Sequence, residues 1–224
     1  MNDLSDPAID VYDNAMFIIA LDYLLEMAPD SPQASRWKSL REGIERNVRA
    51  HLWDEKRQKF IPHIYPEKSP IPEGFDELAI HYHGGTAIAI EAGLLSKDEI
   101  RTVNAQMLEN VRLSGMPSIG LTLYPVYPDG FFHGGMSKAY LYQNGGDWTW
   151  FGGRMIQQLV VNGMVEEAYA EIHPMIERVI QNDGFYEWYG KGGVPSGSGN
   201  FKGSAGVLSK AIELLRDWAE KNKS

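Results

Sequence analysis

Apolar residues recur along this chain in two alternating styles. From Tyr12 to Ala28 they run almost all the way round a helix, with Asp22 and Glu26 as the main polar breaks, so the segment reads as a helix buried on most faces. Pro29 ends it, and Ser31-Pro32 predicts an N-cap followed by proline at the first helical position. The next segment, to about Leu52, carries Trp37, Leu40, Ile44 and Val48 at helical spacing among Arg36, Lys38, Arg41, Glu42, Glu45 and Arg49, which predicts a one-faced outer helix. Thr86 to Leu95 is again apolar all round, with Glu91 its only charge. Ser96 and Glu99 then predict a capping box for a helix that presents Ile100, Val103, Met107 and Val111 on one stripe. A third pair follows. The stretch from about Trp148 to Val161 is mostly apolar, Asn162-Gly163 is a stop, and Val165, Ala168, Ile172, Ile176 and Val179 form one stripe of a helix that Pro174 is expected to kink. A seventh helix begins near Ser204, with Leu208, Ile212, Leu215 and Trp218 in register.

The connections alternate as well, between a few residues and roughly twenty or more, against the usual short loops of compact domains. Trp53 to Gly85 is irregular and holds four prolines, and Gly115 to Asp147 is rich in Pro, Gly and Tyr. Short turns therefore lie at one end and long loops at the other. The pattern predicts an all-α fold, an α/α toroid of antiparallel hairpins with about seven helices, inner ones shielded by outer ones, forming one domain over residues 1–224. A helical solenoid would need a fixed repeat, which these hairpins lack.

Composition narrows the partners. With 224 residues and 43% hydrophobic content the chain can bury a substantial core. A net charge of -9 argues against nucleic acid or an anionic membrane and leaves a neutral ligand open. No cysteine is present, which removes disulfides, thiolate metal sites and Cys nucleophiles. The start, Met1 to Pro7, has no basic region followed by an apolar one, and apolar runs are broken by charge before they reach spanning length. A cytoplasmic location is therefore expected unless a leader has been removed.

One short stretch carries the candidate chemistry. Gly184-Phe185-Tyr186-Glu187-Trp188-Tyr189-Gly190 sets a single carboxylate among four aromatic residues. Aromatic faces cover the apolar faces of pyranose rings, while a carboxylate handles hydroxyls or the glycosidic oxygen. The competing reading is a surface turn with a solvated Glu. Asp76, Glu77, His81 and His83 contain a His-x-His spacing but no clear third ligand, so no metal is expected, and His81 and Asp76 read better as partners of sugar hydroxyls. Asn144-Gly145-Gly146 is not a phosphate loop, because no Lys-Ser/Thr pair follows it, and no cofactor is expected.

Tyr142-Gln143-Asn144-Gly145-Gly146-Asp147-Trp148, followed two helices later by Asp183-Gly184-Phe185-Tyr186-Glu187-Trp188-Tyr189 and then by Phe201-Lys202-Gly203-Ser204-Ala205-Gly206, resembles the closing half of the six-hairpin glycosidases. That (α/α)6-barrel group includes neutral and alkaline invertases, trehalases and debranching-type glucosidases. Val11-Tyr12-Asp13-Asn14-Ala15-Met16 is similar to the segment in which these enzymes hold their general acid. The resemblance implies a glycoside hydrolase for a neutral oligosaccharide or disaccharide, inverting, with Asp13 as acid and Glu187 as base. It implies Tyr12, Asn14, Asp76, His81, His83, Tyr142, Gln143, Asn144, Asp147, Trp148, Trp188 and Lys202 as the surrounding sugar-binding residues. Asp13 also reads as an ordinary N-cap, in which case Asp76 or Glu77 is the fallback acid. Asp147 reads as an N-cap or a hydroxyl ligand. A complete barrel has twelve helices against the seven expected here, so exposed inner helices would be covered by self-association or by a missing N-terminal segment. Two other functions fit the same residues: a catalytically inactive carbohydrate-binding or assembly unit, and a sugar epimerase or isomerase relying on His81, His83 or His133.

Overall fold

The computed structural model describes residues 7–223, so residues 1–6, on which the expectation about a leader rests, lie outside it. Seven α-helices are present among the described residues: α1 (Val11–Met27), α2 (Ala34–His51), α3 (His83–Glu91), α4 (Lys97–Ser114), α5 (Thr149–Val161), α6 (Val165–Asn182) and α7 (Lys202–Lys221). Two short antiparallel ladders, β1 (Trp53–Asp54) with β2 (Lys59–Phe60) and β3 (Trp188–Tyr189) with β4 (Pro195–Ser196), punctuate the loops. Helices α1, α3, α5 and α7 pack as a row, each against the next. Helix α2 backs α1, α4 backs α3, and α6 backs both α5 and α7. The fold is an all-α, incomplete α/α toroid. No described helix is long and apolar enough to cross a membrane.

Glycine lets the inner row close at its loop end. A Cβ on Gly85 of α3 would lie 2.7 Å from both Val11 Cγ1 of α1 and the Tyr82 ring, and one on Gly84 would lie 3.3 Å from the Phe151 ring of α5. A Cβ on Gly153 of α5 would come within 2.9 Å of Val207 of α7. Each inner-to-inner contact thus uses a helical glycine, which is worth its propensity penalty only where backbones must approach. Polar links tie the layers together: Arg41 of α2 reaches Asp22 of α1 at 2.8 Å, and Arg49 of α2 reaches Glu99 of α4 at 2.7 Å. Arg154 of α5 reaches Glu91 of α3 at 2.6 Å while lying 4.4 Å over the Trp150 ring.

Several local expectations hold and several are corrected. The Ser96–Glu99 capping box forms with both of its bonds, and Gly115 closes α4 in the left-handed region at φ 69. Asp10, not Asp13, caps α1: its carboxylate accepts the Asp13 N–H at 2.9 Å, which makes Asp13 the third helical residue. Helix α2 starts at Ala34 rather than just after Ser31, because the Ser31 hydroxyl takes the Gln33 N–H and its carbonyl takes the Ala34 N–H, forming a separate turn. Helix α3 starts at His83 rather than Thr86, since Gly84 and Gly85 are needed inside it. Helix α6 runs unbroken from Val165 to Asn182 with Pro174 within it.

The ends of the row are open. Phe17, Tyr23 and Met27 of α1 are exposed at one edge. At the other, Tyr169 of α6 with Ile212 and Trp218 of α7 line an apolar groove.

One buried acid lies far from the loop end. Glu171 of α6 is 7% exposed and accepts a 2.7 Å hydrogen bond from the side-chain amide of Asn104 on α4. Its Oε2 and the Asn104 Oδ1 are both buried without a partner. Burial pushes the Glu171 carboxyl up to about 7, the Asn104 amide pulls it partly back, and Glu167 adds to the rise. Because the folded form holds its proton above the ordinary value of 4.5, stability present below that pH is lost as pH rises towards about 7. Glu171→Gln removes that loss and supplies an amide donor for the Asn104 oxygen. Thermal unfolding of the variant is expected to be flatter than wild type between pH 5 and pH 8, with a midpoint about 2–6 °C higher at pH 8.

Candidate functional site

The four inner helices begin at the same rim, and the residues at their N-cap positions are Asp10, Tyr82, Trp148 and Phe201. The partial positive charge of four helix ends faces this mouth. Aromatic contacts run across it: Tyr12 to Phe151 at 6.0 Å, Phe151 to Trp148 at 6.3 Å, Trp148 to Phe201 at 6.1 Å, Trp148 to Tyr142 at 4.9 Å and Tyr142 to Trp188 at 6.4 Å. All these pairs are edge-to-face, a geometry that rings adopt when packed as a wall. Tyr12, Tyr142 and Trp188 are only partly covered, whereas Trp148 is buried.

Glu187 stands at the end of this wall. Its N–H donates to Ser198 O at 2.9 Å, and its Oε2 accepts the Ser198 N–H at 3.3 Å. Gly197, at φ 71, lies so close that a Cβ there would sit 2.5 Å from that same oxygen. Burial, and then the Glu187 charge, push the Tyr142 hydroxyl above its ordinary value. A half-buried carboxylate with one oxygen on backbone can take a proton from a water or bind a hydroxyl with the other.

Beneath it lies a buried ion pair. Asp147 is fully buried, and its Oδ1 lies 2.7 Å from Nη1 of Arg178, itself 5% exposed. Ser118 donates to the same carboxylate at 2.7 and 2.9 Å, and Arg178 Nη2 donates to Thr149 Oγ1 at 2.7 Å. Asp147 therefore acts neither as an N-cap, a position Trp148 occupies, nor at the surface of the mouth.

The remaining sequence candidates divide by position. Asp13 is exposed at the start of α1. Lys202 is exposed at the start of α7, and Gln143 is exposed on its loop. Asn14 donates to Asp10 O at 2.7 Å and lines a cleft against α2 with Asn47 and His51, on the outer side of α1. Asn144 is fully buried, and its amide holds both Tyr127 N at 2.9 Å and Tyr127 O at 3.1 Å, stitching the two arms of the long loop together. His83 is 4% exposed and paired with Asn110 of α4 at 2.9 Å, and His81 lines a surface cleft with Arg101, Gln106 and Glu109 of α4. Both histidines thus face the outer layer rather than the aromatic wall. Burial drives His83 down to about 3 and His81 down to about 4, with the nearby Lys59 charge adding to each, so both are neutral at neutral pH. Exposed His133 precedes a short 3₁₀ turn.

Asp76 is exposed, while Glu77 has its Oε1 claimed by His63 at 2.8 Å, Tyr65 at 2.7 Å and Tyr127 at 2.5 Å. Although burial raises the Glu77 carboxyl, these donors outweigh it and hold the group below its ordinary value. That environment suits a structural anion and not a proton donor. No group of three or more His, Asp or Glu among the described residues has a geometry able to hold a metal ion. The sequence reading missed Arg178, Ser118 and the His63–Tyr65–Tyr127 set. For Arg178 a signal existed, since Ala168, Glu171, Met175 and Arg178 recur at helical spacing on the buried face of α6.

No protein-family model and no curated protein matches the chain. Among solved structures, a GH63 mannosylglycerate hydrolase from Thermus thermophilus in complex with glucose superposes with a TM-score of 0.63 and 18% identity, over 94% of this chain and 48% of that one. The same hydrolase in complex with Tris and D-glycerate gives 0.63 and 16% identity, over 94% and 46%. A sialidase gives 0.59 and 12% identity, over 84% of this chain and 17% of that one. The chain spans about half the length of the first two. The likeness is one of fold, the helical toroid, and at these identities it extends no further.

Gly146 tests how tightly the mouth is built. A Cβ there would overlap Tyr142 O and meet the Trp188 ring at 3.2 Å, and a backbone carbonyl cannot rotate away as a side chain can. Gly146→Ala is expected to lower stability by about 1–3 kcal/mol in urea unfolding and to shift tryptophan emission.

Proposed function

We propose that this mouth is the site of a glycoside hydrolase acting on a neutral oligosaccharide or disaccharide. The observation that carries the reading is Glu187, half-buried against the Gly197–Ser198 backbone and preceding Trp188 at the end of a partly exposed aromatic wall. The wall offers faces for pyranose rings, and the carboxylate offers a base next to them. A surplus of acid over base in the chain favours a substrate without negative charge.

In this reading Glu187 accepts a proton from a water whose oxygen bonds to the anomeric carbon. As the bond from that carbon to the glycosidic oxygen breaks, Asp13 gives its proton to the departing oxygen. The configuration at the anomeric carbon inverts, and the two carboxyl groups end with exchanged protonation. Asp13 is assigned to this part because it stands at the loop end of α1 beside Tyr12, the first ring of the wall that ends at Glu187. Inversion calls for carboxyl groups about 6.5–9.5 Å apart. Tyr142, Trp188, Gln143 and Lys202 are the remaining surface groups proposed to meet the sugar.

The exposure of Asp13 favours a second reading, saccharide binding without turnover. A proton donor in hydrolysis works where water is excluded, and Asp13 lies open to solvent. Incubating the 224-residue chain with a panel of neutral disaccharides, with calorimetry on the same panel, separates the two. Glu187→Gln is expected to lower hydrolysis by about 10²–10⁴-fold while leaving affinity within a few-fold of wild type, and unchanged turnover removes the assignment. Binding without hydrolysis in the wild-type chain selects the second reading.

A further inference from the structure

The Arg178 guanidinium reaches inward from an outer helix and touches three separate pieces of the mouth. It pairs with Asp147 at 2.7 Å in the loop before α5 and donates to Thr149 in the first turn of α5. Its Cζ also lies 4.0 Å from the centre of the Tyr189 ring in β3. Asp147 and Tyr189 in turn exchange both backbone bonds, at 2.9 and 2.8 Å. Glu187 lies two residues before Tyr189. On one side the 187–189 segment pairs with residues 195–198, and on the other Tyr189 pairs with Asp147.

We propose that Arg178 is a positioning residue for Glu187, fixing through Asp147 and Tyr189 the height and direction of the strand that carries the carboxylate. The proposal rests on the reading of Glu187 as the acting group, but its mechanical part does not.

Stability alone is a poor account of this pair. Both partners are withdrawn from water, at 0% and 5% exposure, and removing two charges from water offsets most of their attraction. Apolar residues of equal volume would hold α6 against the mouth as well. A guanidinium provides direction that they would lack: Nη2 donates to Thr149 and Cζ lies over the Tyr189 ring, while Nη1 meets Asp147 as an ion pair without hydrogen-bond geometry. Lysine keeps the charge facing Asp147 and loses the hold on Thr149 and Tyr189 together.

Arg178→Lys in the full chain, with amide hydrogen exchange resolved by residue, is the test. Exchange at Glu187 and Tyr189 should accelerate at least about tenfold while Ala87 to Ile90 in α3 stay unchanged. Turnover of any disaccharide that wild type hydrolyses should fall at least about tenfold with KM within about threefold. If Arg178→Lys prevents folding, the charge-free pair Asp147→Asn with Arg178→Gln is measured in the same way. Unchanged exchange at Glu187 and Tyr189, or acceleration spread evenly through the inner helices, overturns the proposal. Local acceleration in a chain that hydrolyses nothing upholds the positioning role and sinks only the hydrolase reading.

Discussion

The carboxylate of Asp147, completely withdrawn from water, is the constraint on which the loop end of this molecule depends. An unpaired buried charge is intolerable, so Arg178 must come to it from the outer layer and Ser118 from the neighbouring loop. Those two demands join segments far apart in sequence at one point: the turn around 118–122, the turn before α5, the strand after α6, and α6 itself. Gly120 shows how tight the junction is, since a Cβ there would overlap the Asp147 carboxylate and the Trp148 carbonyl. The mouth is irregular backbone, yet it is held as a helix core is held.

The helices beneath make a second demand of the same kind. Inner helices approach through Gly84, Gly85 and Gly153, and their dense contact brings four N-termini together. Once the ends converge, the residues that precede them have nowhere to go but the rim, and three of those four are aromatic. An aromatic wall is thus a consequence of helix packing combined with the choice of residue at each helix start. Beside it, a satellite cluster of Ile80, Leu123, Tyr127 and Phe132 binds the two long loops to each other, with Glu77 under three donors at its centre. The long loops are therefore packed and not open.

Much of the architecture is legible because it is written in periodicity. The contrast between Tyr12–Ala28 and the Trp37–Leu40–Ile44–Val48 stripe distinguishes inner from outer helices, and the Ser96–Glu99 box is a local rule obeyed locally. Boundaries depart from expectation where a long-range contact outweighs local preference. Asp10 takes the cap because Ile9 pairs with Ile64 and turns the chain earlier, and α3 gains His83 to Gly85 because α1 and α5 press on it. Arg178 reads as an outward charge in sequence because its neighbours Glu177 and Gln181 are polar, yet it is buried. His81 and His83, adjacent to a long loop in sequence, read as rim residues, whereas the bridge of His81 to Tyr124 and the first turn of α3 direct them at α4. Glu187 stands out by its aromatic surroundings, and those surroundings are local. What sequence does not contain is the direction a carboxylate faces, which here depends on Gly197 and Ser198 across the following turn.

The central claim is that a sugar ring lies against Trp188 and Tyr142 with its anomeric carbon turned to Glu187. A crystal structure of the chain with a thio-linked neutral disaccharide, which resists hydrolysis, addresses it directly. The account predicts one pyranose face on those two rings and a Glu187 oxygen about one water molecule away from the anomeric carbon. Electron density for the sugar on the α4 side, beside His81 and Gln106, with the aromatic wall empty, would contradict it.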